Sequence, residues 1–181
     1  MWRGRLWSAC LLLGLCTACN PQAPKAAPTP KPTASRAAMA PSLHVTGRGT
    51  ATRPVRSTLQ IHNWIEYELV AKSFESKGAQ GKTRAVFQDA QVTFHDRNGM
   101  TMTATAPQAI VDETTHLVTM IDDVHAKTST GRTLRCRRLV YDHARGTLHG
   151  TGDVIIVDPN GFRGTGSSFD SDVSLSHIRM Q

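Results

Sequence analysis

The sequence predicts an all-β domain of antiparallel strands, and three observations predict it. From about Ser42 onward, apolar and polar residues alternate in short runs broken by Gly, Asn and Asp, the period-two pattern of strands joined by tight turns. Two stretches set thirty residues apart repeat the same pattern of strand and turn residues. No window of helical period competes with either signal.

The elements follow in chain order. Residues 1–19 have a short basic start (Arg3, Arg5), an apolar run from Trp7 to Leu15 and a small-residue stretch ending at Cys19, the layout of an export signal. The apolar run is shorter than the ~20 residues of a membrane-spanning helix. Thr17 and Ala18 before Cys19 resemble the bacterial lipoprotein signal, which makes Cys19 the candidate lipidation site. Cys16 stands three before it, where that signal usually has Leu. Lipidation with two or more acyl chains holds a protein on a membrane stably. Residues 20–41 are rich in Pro, Ala, Ser, Thr and Lys with almost no apolar bulk, and read as a disordered, flexible linker. The folded domain is 42–181.

The whole chain carries a formal charge of +7. Loss of residues 1–18 would remove Arg3 and Arg5 and leave five of those seven excess charges. A basic exported protein suits anionic membrane surfaces or glycolipids, and no nucleic acid is expected as a partner. Beyond the signal segment only Cys136 remains, too few for an internal disulfide or a four-ligand zinc site, so burial must supply the stability.

Within the domain, Trp64 to Ala71 predicts a first strand with Ile65, Tyr67, Leu69 and Ala71 on one side and Glu66 and Glu68 on the other. Lys72 to Arg84 is the least strand-like piece and reads as a loop with a ragged strand. The repeat then aligns Ala109 with Leu139, Val111 with Tyr141, Asp112 with Asp142, Val118 with Leu148, Asp123 with Asp153, Val124 with Val154 and Gly131 with Gly161. A truncated copy follows at Phe169 and Asp172. Upstream, Val92 to Gly99 matches Val154 to Gly161 down to an Asp-x-Asn-Gly turn, whose Asn-Gly supplies positive φ. Each unit is two or three strands that cannot bury an apolar face alone but can against its neighbours.

The alternation sorts the faces. One carries Tyr67, Leu69, Val92, Phe94, Val111, Val118, Met120, Val124, Ala126, Leu139, Tyr141, Leu148, Val154 and Ile156; the other carries Thr93, Thr119, His125, Lys127, Val140, His149, Ile155 and Val157. Between Cys136 and Leu139 the parity slips by one, and Pro107 stands at the matching place in the previous copy. A bulge or strand break there accounts for both.

Catalytic motifs are missing: there is no phosphate loop, G-x-S-x-G elbow, H-E-x-x-H or calcium loop. The eight histidines (44, 62, 95, 116, 125, 143, 149, 177) lack the clustering of metal ligands, and neither a catalytic residue nor a metal or other cofactor is expected. Asp112, Asp123, Asp142 and Asp153 recur at repeat-equivalent positions and read as turn caps. Arg132, Arg135, Arg137 and Arg138 read as a solvated strand edge, with binding of anionic phosphates as the alternative.

The order of Tyr67-x-Leu69-x-Ala71, VTFHDRNG, the AIVD of Ala109 to Asp112, DDVHA, GRTL with the Tyr141-Asp142 pair and GTGDV, ending in G-x-G-x-x-F-D-x-D, resembles the LptC family of the lipopolysaccharide export bridge, within the OstA/LptA-like superfamily. The resemblance covers roughly Trp64 to Met180 and rests on structural turns rather than catalytic signatures. It implies an open β-jellyroll of two facing sheets, a non-enzymatic role and lipopolysaccharide as ligand, which makes the fourteen inward residues the candidate lipid lining. It further implies strand-edge pairing with an inner-membrane Lpt ABC transporter and an LptA-like jellyroll protein, in the periplasm at the inner membrane. Family members usually carry one transmembrane helix, whereas this chain has a short apolar segment ending in a cysteine. A soluble LptA-like shuttle, or a structural lipoprotein with a filled core, is the alternative, and a polysaccharide-acting β-solenoid enzyme is a third reading. Large side chains at Phe94, Tyr141 and Phe169 would favour the filled core, and small ones at Ala109 and Ala126 a cavity.

Overall fold

The computed structural model of the chain describes residues 43–79 and 82–181. The signal segment, the linker and Cys19 lie outside the described residues.

Among the described residues, eleven strands form one antiparallel sheet: β1 Leu43–Arg48, β2 Val55–Ile61, β3 Trp64–Ala71, β4 Ser73–Ala79, β5 Lys82–His95, β6 Thr101–Asp112, β7 Leu117–Thr128, β8 Thr133–Asp142, β9 Thr147–Val157, β10 Arg163–Asp172 and β11 Arg179–Met180. From β5 to β10 each strand pairs with the next, a meander that never closes. Each thirty-residue repeat is one hairpin, β6–β7 and then β8–β9, with β10 as the truncated copy.

The N-terminal edge is built differently from expectation. Trp64 to Ala71 is the third strand, because β1 and β2 precede it. Within Lys72 to Arg84, where a loop with a ragged strand is expected, the described residues of β4 and the start of β5 are paired strand. β3 and β4 act as one long strand against β5, since Tyr67 faces Phe94 and Ser73 faces Gln88 in a single register. The polar composition of this piece hid it, because most of β4 is only half-buried, with Phe74 alone among its large side chains packed against the core, and partial burial leaves little imprint on the sequence.

Turns set the hairpins. At one end, Gly131 N–H donates to Thr128 O at 3.0 Å and Gly161 N–H to Asp158 O at 2.9 Å, with both glycines at positive φ. At the other end Asp112 and Asp142 accept backbone N–H bonds from Thr114 at 2.9 Å and Ala144 at 3.0 Å.

Midway along the long strands the ladder breaks on a common line. Registers slip between Thr105 and Gln108, between Ile121 and Val124, between Arg135 and Arg138, and between Gly166 and Ser168. Pro107 and the Cys136–Leu139 interval both fall on it, as the parity slip requires. Asp89, Asp122, Asp123 and Asp153 sit there with positive φ, a conformation that Asp tolerates better than most residues. This row of bulges runs across β6 to β10, and there the sheet creases so that its two halves face each other. Phe94 on β5 and Tyr141 on β8 are separated by two intervening strands, yet their rings lie 4.6 Å apart. Only folding across the crease brings them together.

Candidate functional site

The facing halves enclose the interior that the alternation outlines. Tyr67, Leu69, Val92, Phe94, Val118, Met120, Val124, Ala126, Leu139, Tyr141, Leu148, Val154 and Ile156 are between 0 and 5% exposed. Val111 is half-buried and packs against them. On the opposite face His125, Lys127 and His149 are exposed, Thr93, Val140, Ile155 and Val157 are half-buried, and Thr119 is buried. Ala104, Phe87, Leu134 and Phe169 are buried with the inward set. Leu134 and Cys136 were within reach of the sequence, for they alternate with the inward set once the bulge after Cys136 is allowed for. Val173 and Leu175, also buried, lie in the tail beyond β10, where no alternation marks them.

The interior is filled along most of its length and opens toward its ends. Near β2, a cavity of about 400 Å³ is lined by Leu59, Ile61, Tyr67, Phe87, Val111 and Val118, with Glu113, His116 and His143 at its polar rim. Near the C-terminal tail, one of about 390 Å³ is lined by Ile156, Phe162, Leu175, Ile178 and Met180. Arg132 closes the second: its Nε donates to Asp158 Oδ2 at 2.8 Å and its Nη1 to Leu175 O at 2.7 Å, tying the tail to the turn after β9.

Along the side, where the turns of the two halves approach, a third cavity of about 430 Å³ is lined by Glu66, His95, Arg97, Tyr141, His143 and Arg145 among others. Here the register predicted for β3 fails in one place. Leu59 faces Tyr67 but Gln60 faces Ile65, so Glu66 is the extra residue of a bulge. Ile65 is consequently turned out, 36% exposed, and the Glu66 carboxylate accepts the Tyr141 hydroxyl at 3.2 Å. Burial, then Glu66, pushes the Tyr141 pKa up, and burial pushes Tyr67 up to about 12. Both phenols therefore stay protonated donors. Burial, then His116 at 4.9 Å between ring centroids, pushes His143 down.

Two readings of polar residues change. Asp112 and Asp142 cap turns as expected, but Asp123 and Asp153 lie on the crease. There Asp123 accepts from Arg135 at 2.8 Å and Asp153 from Arg137 at 2.9 Å. The arginines do not mark a strand edge, since β8 is bonded on both sides. Histidines pair mostly with single carboxylates, His149 with Asp170 at 2.8 Å for example. Among the described residues no group of three or more His, Cys, Asp or Glu could hold a metal ion.

An unclosed antiparallel sheet, creased onto itself around an apolar interior, is an OstA-like β-jellyroll. The sequence model of the family described as "Lipopolysaccharide-assembly, LptC-related" matches residues 16–180, and the chain belongs to that family. No curated protein matches the chain. As an LptC-family member the protein has a role in lipopolysaccharide transport and faces the periplasm in association with the inner membrane.

Proposed function

We propose that the protein is a non-enzymatic carrier that receives lipopolysaccharide from an inner-membrane ABC transporter and passes it to the next jellyroll protein, with the acyl chains held between the two half-sheets. The observation that carries this reading is the apolar interior: the thirteen buried residues of the inward set come from both halves and, apart from the two tyrosine hydroxyls, present no polar side-chain group.

An empty trough would expose that surface to water, so the halves close on each other. Loading then replaces side-chain contacts by acyl contacts, each buried CH₂ contributing about 0.8 kcal/mol. The exchange is close to balanced, which suits a carrier that must also release its lipid. The cavities near β2 and near the tail are where an acyl chain meets the least resistance.

Strand edges supply the partner contacts in this reading. The outer side of β1 and β2, and that of β10 from Arg163 to Gly166, pair with no strand among the described residues. Such edges accept a further strand. Anchoring through Cys19 fits the same placement at the inner membrane.

The contact of Phe94 with Tyr141 favours a second reading, a filled core that serves protein contacts alone. Mass spectrometry of the protein purified from envelope membranes separates the two. Co-purifying lipopolysaccharide in about equimolar amount is expected of the carrier, and a lipid-free protein of the filled core.

A further inference from the structure

The inward set is apolar but for the Tyr67 and Tyr141 hydroxyls, and the place where Glu66 meets Tyr141 is built rather than incidental. A bulge in β3 turns Glu66 inward and leaves Ile65 exposed, the reverse of what alternation gives. Tyr141 stands on the other half-sheet, 1% exposed, with its ring against Phe94 and its hydroxyl on Glu66 at 3.2 Å. The bond joins β3 to β8, strands not adjacent in the sheet. It lies at the side opening, beside the His95 Nε2 and His143 Nδ1 atoms, which are buried without a hydrogen-bond partner.

We propose that Glu66 and Tyr141 form a latch that holds the half-sheets shut at the side opening, and that its release admits lipid. This rests on the carrier reading above. An apolar pair at this place would bind the halves as firmly to each other as to an acyl chain, with no preference for either state. A carboxylate and a phenol instead satisfy each other only when the halves are closed, and can be resolvated when they part. The directional bond therefore sets the closed state without adding apolar surface that competes with the lipid. A part-buried hydrogen bond of this length shifts an open–closed equilibrium by about two- to tenfold.

The test uses the full chain with spin labels on non-natural residues at Asn98 and Arg145, exposed positions on the two turns that flank the opening. Distances are read in lipid-free protein, and lipopolysaccharide loading is timed separately. Tyr141→Phe keeps the ring and removes the hydroxyl; Glu66→Gln keeps an acceptor. The latch predicts a longer and broader distance distribution in Tyr141→Phe, loading faster by about two- to tenfold, and near-native behaviour in Glu66→Gln. An unchanged distance in Tyr141→Phe overturns it, as does a loading rate in Tyr141→Phe no faster than that of a wild type that loads. So does opening accompanied by loss of folded structure, since Tyr141 would then be a packing residue only. If the distance lengthens but neither protein takes up lipid, the latch stands and the carrier reading falls.

Discussion

Phe169 on β10 lies across Gly150, its partner on β9, so closely that a Cβ on Gly150 would overlap the ring. The ring is fully buried, and the glycine is the floor on which it rests. Gly150→Ala must displace Phe169 and should destabilise the fold by about 1–3 kcal/mol. Gly146, at φ +66 with nothing within 4 Å of an added Cβ, meets only backbone strain, and its alanine variant should lose about 1 kcal/mol. Urea denaturation of the two variants checks the order.

Phe94 is fully buried, with its ring on Tyr141. Phe94→Ala should cost about 3–5 kcal/mol, the range for a large core side chain whose surroundings relax only in part. Calorimetry in the presence of lipopolysaccharide should show a smaller loss than in its absence, because acyl chains fill the space that the ring leaves.

Burial lowers the pKa of His143 below 6.5, so the unfolded chain takes up its proton first as pH falls. The stability tied to the neutral ring is complete above pH 6.5 and is lost progressively below it. Asp123 and Asp158, whose pKa values lie below 3.8 through Arg135 and Arg132, add a second loss below that pH. A His143→Asn variant should remove the first phase of a midpoint-against-pH curve and leave the second.

The Cys136 side chain is buried, 2% exposed, and burial raises its pKa to about 12. Peptide-resolved alkylation at neutral pH should leave Cys136 unmodified in the folded protein and modify it on denaturation. Fast labelling under native conditions would mean that the crease opens far more than the closed structure allows.

The sequence carried the fold where one face meets water. Alternation placed Val118, Met120, Val124 and Ala126 inside and His125 and Lys127 outside, because a two-residue period and one buried face leave a single register. The repeat located the bulges at Pro107 and after Cys136. Alternation could not reveal β1, β2 and β4, whose side chains are mostly exposed or half-buried, nor the inward turn of Glu66, which depends on a slip in pairing with a strand distant in the sequence. Likewise the pairing of Asp123 with Arg135 and of Asp153 with Arg137 is a cross-strand relation, legible only once the register is known. The crease itself turned a ladder of inward residues into two opposed walls.

The most direct measurement is photocrosslinking of the full chain to lipopolysaccharide, with a photoreactive residue at Val124 or Val154 inside and at Lys127 or Val157 outside. The carrier account predicts lipid adducts at the two inner positions and none at the outer pair. Adducts at neither inner position, in protein exposed to lipopolysaccharide and an active transporter, would contradict it and leave a closed jellyroll that holds only other proteins.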